Sequence, residues 1–468
     1  MSRYKWILKS AALAACSPTA LRPDLIGNGM AIRLKACLVF LVGVVLLTVG
    51  AAWYAMHDPD RYIPSIAAYL QRDTGLQVRI QHLQIQLFPT LQVQIQGLEI
   101  KNPQPFPSGN FLSVPRLDAT IEKLPLLHGQ IAIRSLFLHK PTIDFISDPD
   151  GLWNFQNPSG SKKAPAHFSI LLIPNMQIEN GILLGSNLID PNDKPGPVVL
   201  EIGNFSALLN ATSPKPSDGS DNSTGLAGHL AADTVRFGSI NMKDLQSQLR
   251  ITSRQLVFSN VQIKTYHGRA SGDFLLNFGG KNTVFKTDLQ ADGIGISYLL
   301  AEFQNGTSAI TGAMQTKLSL AGEIKHTSSP FAGIHGTAQI TIRKGELPKL
   351  NQNQSMLALE RFRPASAVAL PASAFTMFTA DMELRNNHIY SKRIDVNFYG
   401  TDVVGSGNTS LLDGALDYRG AANVVKKQGL LTSLFARMFK EAHQKDGRLT
   451  FPLRLTGTLT TPSLSVAE

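Results

Sequence analysis

Between Leu76 and Ile95 apolar and polar residues alternate with few breaks. Leu76, Val78 and Ile80, then Leu83, Ile85 and Leu87, then Leu91, Val93 and Ile95 recur at period two, while Gln77, Arg79, Gln84, Gln86, Gln92 and Gln94 take the intervening places. Successive side chains of an extended strand point to opposite faces, so the pattern predicts antiparallel strands with one apolar and one solvated face. The same texture continues through Ile131-Ala-Ile133 and Thr142-Ile143-Asp-Phe145, with Pro89, Pro115 and Pro141 expected at edges or turns that tolerate a missing donor.

An apolar face must be covered by helices, by a second sheet or by closure of the sheet on itself. Helical patterns are scarce. Residues 64–75 predict a short helix with Ile63, Ile66, Ala67 and Leu70 on one face and Gly75 as its stop. The best later pattern is 429–440, where Leu430, Leu431, Leu434, Phe435, Met438 and Phe439 form a broad stripe beside Lys426, Lys427, Arg437 and Lys440. That stripe fits a cap on the end of a sheet, or an interfacial helix resting on anionic lipid. With so few helices, alternation alone favours tandem β-sandwiches; an open apolar groove has the same periodicity.

Ahead of the strands, residues 36–56 read ACLVFLVGVVLLTVGAAWYAM, 21 residues without a charge. At 1.5 Å per residue this spans the roughly 30 Å hydrocarbon layer, which predicts one transmembrane helix. Arg33 and Lys35 precede it, Trp53 and Tyr54 form an aromatic belt at its far end, and His57-Asp58-Pro59 stops it. The positive flank places the N-terminus in the cytoplasm and the body outside. The rival readings are weaker. A cleaved signal peptide rarely has so long a run, and Leu13-Ala14-Ala15-Cys16, which resembles a lipoprotein box, has its apolar lead cut by Lys9 and Ser10. Met30 is a natural start for the anchor, which makes 1–29 either a cytoplasmic leader or a misassigned extension.

The 468 residues carry a formal charge of +10. Half of that excess precedes the helix, as Arg3, Lys5, Lys9, Arg22, Arg33 and Lys35 against Asp24. The body shows no basic run with interleaved aromatics, so nucleic acid is not an expected partner. Cys16 and Cys37 are the two cysteines, so the body has neither a disulfide framework nor a Cys-based zinc site. There is no HExxH or GxSxG; Gly279-Gly280-Lys281-Asn282 lacks the rest of a phosphate loop, and Gly293-Ile-Gly295 is followed by Tyr298 where a third glycine belongs. Asp148 and Asp150 read as turn carboxylates. No catalytic residue, metal ligand or cofactor is expected.

Composition divides the body at polar stretches, residues 156–166 and 211–225, rich in Pro, Ser, Gly and Asp. The expected organisation is 1–29 leader, 30–57 anchor, 58–155 a first β region, 156–225 strands with polar linkers, 226–325 a β-repeat and 326–468 a second β-repeat containing the 429–440 stripe. The repeat sets Leu256 through Tyr266 and Gly268, with Gly272, beside Ile389 through Tyr399 and Gly400, with Gly405 and Gly407. Both predict two strands meeting at a Tyr/Gly corner. About 12 residues per strand and turn give the body at most ~34 strands, or ~160 Å of sheet.

Several features share an order and spacing. They are the anchor, the Tyr62 to Gly75 helix running into Leu76-Gln-Val-Arg-Ile80, the Phe88-Pro89-Thr-Leu91 break, Leu124-Pro-Leu-Leu127-His-Gly129-Gln-Ile131, and Pro141-Thr-Ile-Asp-Phe145 leading to Gly151-Leu-Trp-Asn154-Phe. Together they resemble the N-terminal region of the bacterial AsmA family; the Tyr/Gly corners and Gly457-Thr-Leu-Thr-Thr-Pro462-Ser-Leu extend the likeness, and residues 160–225 and 325–385 match less clearly. The resemblance implies a mostly β fold whose long curved antiparallel sheet forms an apolar groove, similar to chorein-type bridge-like lipid-transfer proteins. It also implies a single-pass bacterial inner-membrane protein with a periplasmic body, non-enzymatic, associated with phospholipid movement and outer-membrane assembly. Membrane phospholipid and the inner membrane are then the expected partners, with other envelope proteins as further ones; the alternative is a tethered scaffold that recruits envelope proteins. Candidate groove residues are Leu76, Val78, Ile80, Leu83, Ile85, Leu87, Leu91, Val93, Ile95, Ile131 and Ile133, with an ordinary closed core as the competing reading. Candidate membrane-interface residues are Arg33, Lys35, Trp53, Tyr54, Phe435 and Phe439.

Overall fold

The computed structural model describes residues 58–127, 132–148, 153–155, 173–187, 198–212, 225–252, 254–279, 282–302, 308–323, 333–360, 362–425, 443–445 and 448–466. The anchor at 36–56, the 429–440 stripe, Ile131 and all six membrane-interface candidates lie outside them. Among the described residues no helix is long and apolar enough to cross a membrane. Asp60–Glu468 forms one compact unit, distinct from Met1–Pro59.

The unit opens with α1 (Ile63–Thr74), which has proline in its first turn and ends on Gly75 at φ 72°, whose N–H donates to the Gln71 carbonyl. Only glycine takes that left-handed conformation without strain, so the helix stops there. The strands follow: β1 (Val78–Arg79), β2 (His82–Gln86), β3 (Leu91–Lys101), β4 (Asn110–Ile121), β5 (Ile133–His139), β6 (Thr142–Ser147), β7 (Asn175–Asn187), β8 (Val198–Thr212), β9 (Gly225–Phe237), β10 (Ile240–Ile251) and β11 (Gln255–Thr265). Then come β12 (Gly268–Asn277), β13 (Val284–Gly295), β14 (Ala313–Glu323), β15 (Ile334–Gly345), β16 (Phe375–Arg385), β17 (His388–Phe398), β18 (Thr401–Ser410), β19 (Leu416–Val425), β20 (His443–Lys445), β21 (Arg448–Gly457) and β22 (Pro462–Val466). The remaining helices are short: α2 (Lys123–Leu127), α3 (Ile296–Ala301) and α4 (Gln354–Glu360).

All the described strands belong to one sheet, so among the described residues neither tandem sandwiches nor a second layer of strands covers the apolar face. From β7 to β19 each strand pairs antiparallel with the next, and β21 continues from β19. At one edge β1 and β2 both pair with β3, and at the other β20 and β22 both pair with β21. β5 and β6 run as one interrupted strand between β4 and β7, antiparallel to the first and parallel to the second. Three positions are thus shared, leaving nineteen across the sheet, or roughly 86 Å at about 4.8 Å per spacing. The ceiling drawn from length alone was nearly double because it counted the whole body as strand and short turn, whereas short strands share positions and residues 346–374 leave the sheet.

The sheet curls. Trp153, bridged to Ser147 at the end of β6, donates its indole N–H to Thr283 Oγ1 at 3.1 Å, just before β13. Seven strand spacings, about 34 Å if flat, separate those two places. The cause of the curvature is local. Gly97, Lys140, Asn180, Asn204, Asp244, Asn260, Gly293 and Lys344 all have positive φ, each within or beside a strand. A left-handed residue inserted in a strand bends it, strengthens its twist and reverses the inside–outside phase. Apolar residues three apart therefore face the same way on the two sides of Gly97 (Ile95 and Leu98) and of Asn204 (Ile202 and Phe205), and the same offset recurs on the strands either side of β3, at Ile80 and Leu83 and at Val114 and Leu117. Pro115 sits inside β4, away from any edge, but at the ladder gap opposite Gly97, where no hydrogen bond is lost.

The two repeat hairpins are present. β11 and β12 meet at Tyr266–His267, both with positive φ as a tight hairpin turn requires. β17 and β18 meet at Tyr399–Gly400. Each carries a bulge at the equivalent place, between Phe258 and Val261 in the first and between Ser391 and Ile394 in the second, and each sets a glycine, Gly272 or Gly405, against it.

Candidate functional site

Cross-strand register joins the apolar faces into rows perpendicular to the strands. One row runs Leu83, Ile95, Leu117, Leu138, Ile178, Ala207 and Leu230, each directly opposite the next. Beside it run Ile85, Val93, Ala119, Leu136, Met176 and Leu209, which continues over Gly228 to Leu249, Phe258 and Phe274. Directly opposed apolar side chains are the unit by which a sheet stabilises itself, so these rows are one continuous uncharged surface on the inside of the curl.

Of the eleven candidate groove residues, Ile80, Leu83 and Ile95 are buried in the first core cluster, and Val78, Ile85 and Val93 rest half-buried against it. Leu76 and Leu91 are buried outside that cluster, with Leu91 facing Ile121, which in turn faces Ile133. Leu87 is half-buried beyond the end of β2. The N-terminal stretch is accordingly well filled by its own side chains, and Tyr62, Ile63 and Ile66 close its end.

A second cluster occupies the other half. Ile294, Met314, Ile342, Phe375, Val396, Val424 and Phe451 face Leu350, Met356, Leu359 and Phe362 from the segment that leaves the sheet between β15 and β16. Ser355 Oγ of α4 donates to the Leu464 carbonyl on edge strand β22 at 3.3 Å, and Phe362 lies 6.1 Å from Phe451. Arg363, 2% exposed, holds this segment by donating to the carbonyls of Leu370 (3.0 Å), Pro371 (2.7 Å) and Ala372, and burial lowers its pKa.

The middle strands differ from both halves. β11 and β12 contribute no fully buried apolar residue. Phe274, Leu276, Phe285, Leu318 and Leu320 are only half-buried and belong to neither cluster. The inner face is therefore open between two closed ends. Sequence reasoning placed its candidates in the N-terminal strands, where alternation is cleanest, and missed this stretch, whose signal was the Phe/Leu spacing of 256–276.

Trp153, Asn154 and Phe155, the described part of the Gly151-Leu-Trp-Asn154-Phe motif, form the latch of the curl. Asn154, fully buried, donates to the Asn102 side-chain oxygen (2.9 Å) and the Asp144 carbonyl (2.7 Å), and accepts from the Ile146 N–H. Every polar atom of its amide is used, which pins 153–155 to β6. Trp153 then reaches Thr283, and Phe155 lies edge-on to both Phe145 and Phe278 with centroids 5.6 Å apart in each case. Burial pushes the Asp144 carboxyl above its ordinary pKa.

The opposite face is polar. Gln84 faces Gln94, which faces Asp118, and Gln246 faces Gln262. Depressions lie on it; one, of about 1130 Å³, runs past Asn204, Asp244, Gln262, Arg269 and Gln290. Among the described residues no group of three or more His, Cys, Asp or Glu is placed to hold a metal ion.

Residues 30–188, about a third of the chain, match the model of the AsmA family. This region belongs to the AsmA family. No curated protein and no solved structure matches the chain. The described part of the AsmA region contains α1, α2, β1 to β7 and the latch, and the same sheet runs on for more than twice as many strands beyond it. AsmA proteins are associated with the bacterial envelope.

Proposed function

We propose that this is a non-enzymatic inner-membrane protein, anchored by residues 36–56, whose periplasmic body binds phospholipid acyl chains along the inner face of its curled sheet and so supports phospholipid transfer and outer-membrane assembly. The observation that carries this reading is the pair of uncharged rows on the inner face, one running from β2 to β9 and the other from β2 to β12, together with their half-open middle. Such a face replaces water around an acyl chain, worth about 0.8 kcal/mol per buried CH₂, and needs no reacting group. AsmA membership supports the envelope setting.

The test is native mass spectrometry, with solvent extraction, of the full chain purified in mild detergent. Phospholipid is expected at stoichiometric level, and should fall away in a Phe258→Asp/Phe274→Asp/Leu276→Asp variant that keeps its circular dichroism. A folded wild type free of lipid refutes the reading. Topology is checked in intact cells, where the body should be digested once the outer membrane is permeabilised and before the inner membrane is opened. A second reading, a tethered scaffold for envelope proteins, draws on the amide-rich depressions of the outer face; it predicts protein partners on a lipid-free body.

A further inference from the structure

The opening between the two cores has a polar lip on one side. The Phe278 N–H donates to the Arg254 carbonyl at 2.9 Å, so these two residues oppose each other in continuation of the β11–β12 ladder. Two residues on, Leu256 opposes Leu276, and two further on Phe258 opposes Phe274. Period two puts the two strand pairs on the inner face, Phe278 stands at their rim with its ring against Phe155, and Arg254 lies beside it in the 252–255 turn. From the rim inward the sequence is one cation beside an aromatic ring, then two wholly apolar pairs, each about 6.8 Å beyond the last.

Arg254 is held there by shape. A Cβ on Gly279 would lie 2.7 to 2.8 Å from the Cβ, Cγ and Cδ of Arg254, so the arginine stem lies across the bare glycine. Arg254 is exposed and has no ion-pair partner among the described residues. Phe278 beside it is fixed by Phe155 of the latch. An unpaired guanidinium is a bidentate donor for a phosphodiester, and a lone charge at the lip of an uncharged apolar run complements a ligand with one anionic group and long hydrocarbon tails.

We propose that Arg254 marks the mouth of the groove, where a phospholipid rests its phosphate on the guanidinium and its acyl chains along Leu256/Leu276 and Phe258/Phe274; this rests on the acyl-binding reading above. The occupied stretch is then the middle of the sheet, and the tightly filled N-terminal strands serve as its closed end.

The test uses the full chain with phosphatidylcholine vesicles containing phosphatidylglycerol that bears a photoactivatable group in its acyl chain, followed by peptide mapping. In the wild type the label is expected on the peptide spanning 255–278. Arg254→Gln should reduce labelling roughly five- to tenfold, the loss of one charge-assisted bidentate contact, and Arg254→Lys should restore much of it. A photoactivatable diacylglycerol, which lacks the phosphate, should be indifferent to Arg254→Gln. Labelling that is strong but elsewhere, or equal in wild type and Arg254→Gln, overturns the mouth while leaving acyl binding standing. Equal loss of diacylglycerol overturns the phosphate contact. A wild type that takes no label from either lipid overturns the proposal and the reading beneath it.

Discussion

Leu83 offers the sharpest test of how the N-terminal strands are filled. It is 1% exposed and stands directly opposite Ile95, whereas Gln84, the next residue, lies on the solvated face opposite Gln94. Leu83→Ala removes three carbons from a filled site. The transfer loss is about 2.4 kcal/mol at ~0.8 kcal/mol per carbon, and the cavity that neighbours fill only in part brings the total to about 3 to 4 kcal/mol. Gln84→Ala should stay within about 0.5 kcal/mol, as exposed substitutions do. Leu83→Asp places a carboxylate with no partner in the same site and should cost more than about 4 kcal/mol, while Ile85→Asp, half-buried two residues on, should leave the protein folded. The assay is urea unfolding of the full chain followed by far-ultraviolet circular dichroism, comparing midpoints at equal slope. Equal midpoints for Leu83→Ala and Gln84→Ala, or a folded Leu83→Asp, would refute the argument that this end of the inner face is closed by its own side chains.

Three further outcomes follow from single contacts. Gly272→Ala puts a Cβ 2.0 Å from the Asp288 carbonyl oxygen at φ +153°, whereas the nearest atom to a Cβ on Gly405 is the Arg419 carbonyl oxygen at 2.9 Å; thermal unfolding should show a loss of about 2 to 3 kcal/mol for the first and about 1 kcal/mol for the second. Arg363→Met strands the carbonyls of Leu370, Pro371 and Ala372 and should cost about 3 kcal/mol, with limited proteolysis cutting first within 362–374. Asp144 has its pKa raised by burial, so the folded state holds the proton more tightly than the unfolded one, and stability falls as pH rises from the unfolded value through the folded one. Asp144→Asn should therefore raise the melting temperature at pH 7 and leave it nearly unchanged at pH 3; a gain of equal size at both values would contradict burial as the cause.

Much of this was legible in local sequence. Period two placed β2 and β3, the proline and glycine flanks placed α1, and even the phase slip between Ile80 and Leu83 stands in plain view, because strand alternation and turn chemistry depend on neighbours in the chain. The paired Tyr/Gly corners likewise stand where the repeat put them, down to matched bulges. What covers the apolar face was not legible. Alternation is identical in a sandwich, a closed core and a groove, since it reports only that one face avoids water and says nothing of what meets it. That was decided by contacts across 130 residues or more than a hundred, Trp153 with Thr283 and Ser355 with Leu464, which curl one sheet at two places and leave it open between them. Arg254 shows the same limit: in the sequence it is an isolated charge in a turn, and only the pairing of β11 with β12 and the bare Cα of Gly279 set it at the lip of an uncharged row.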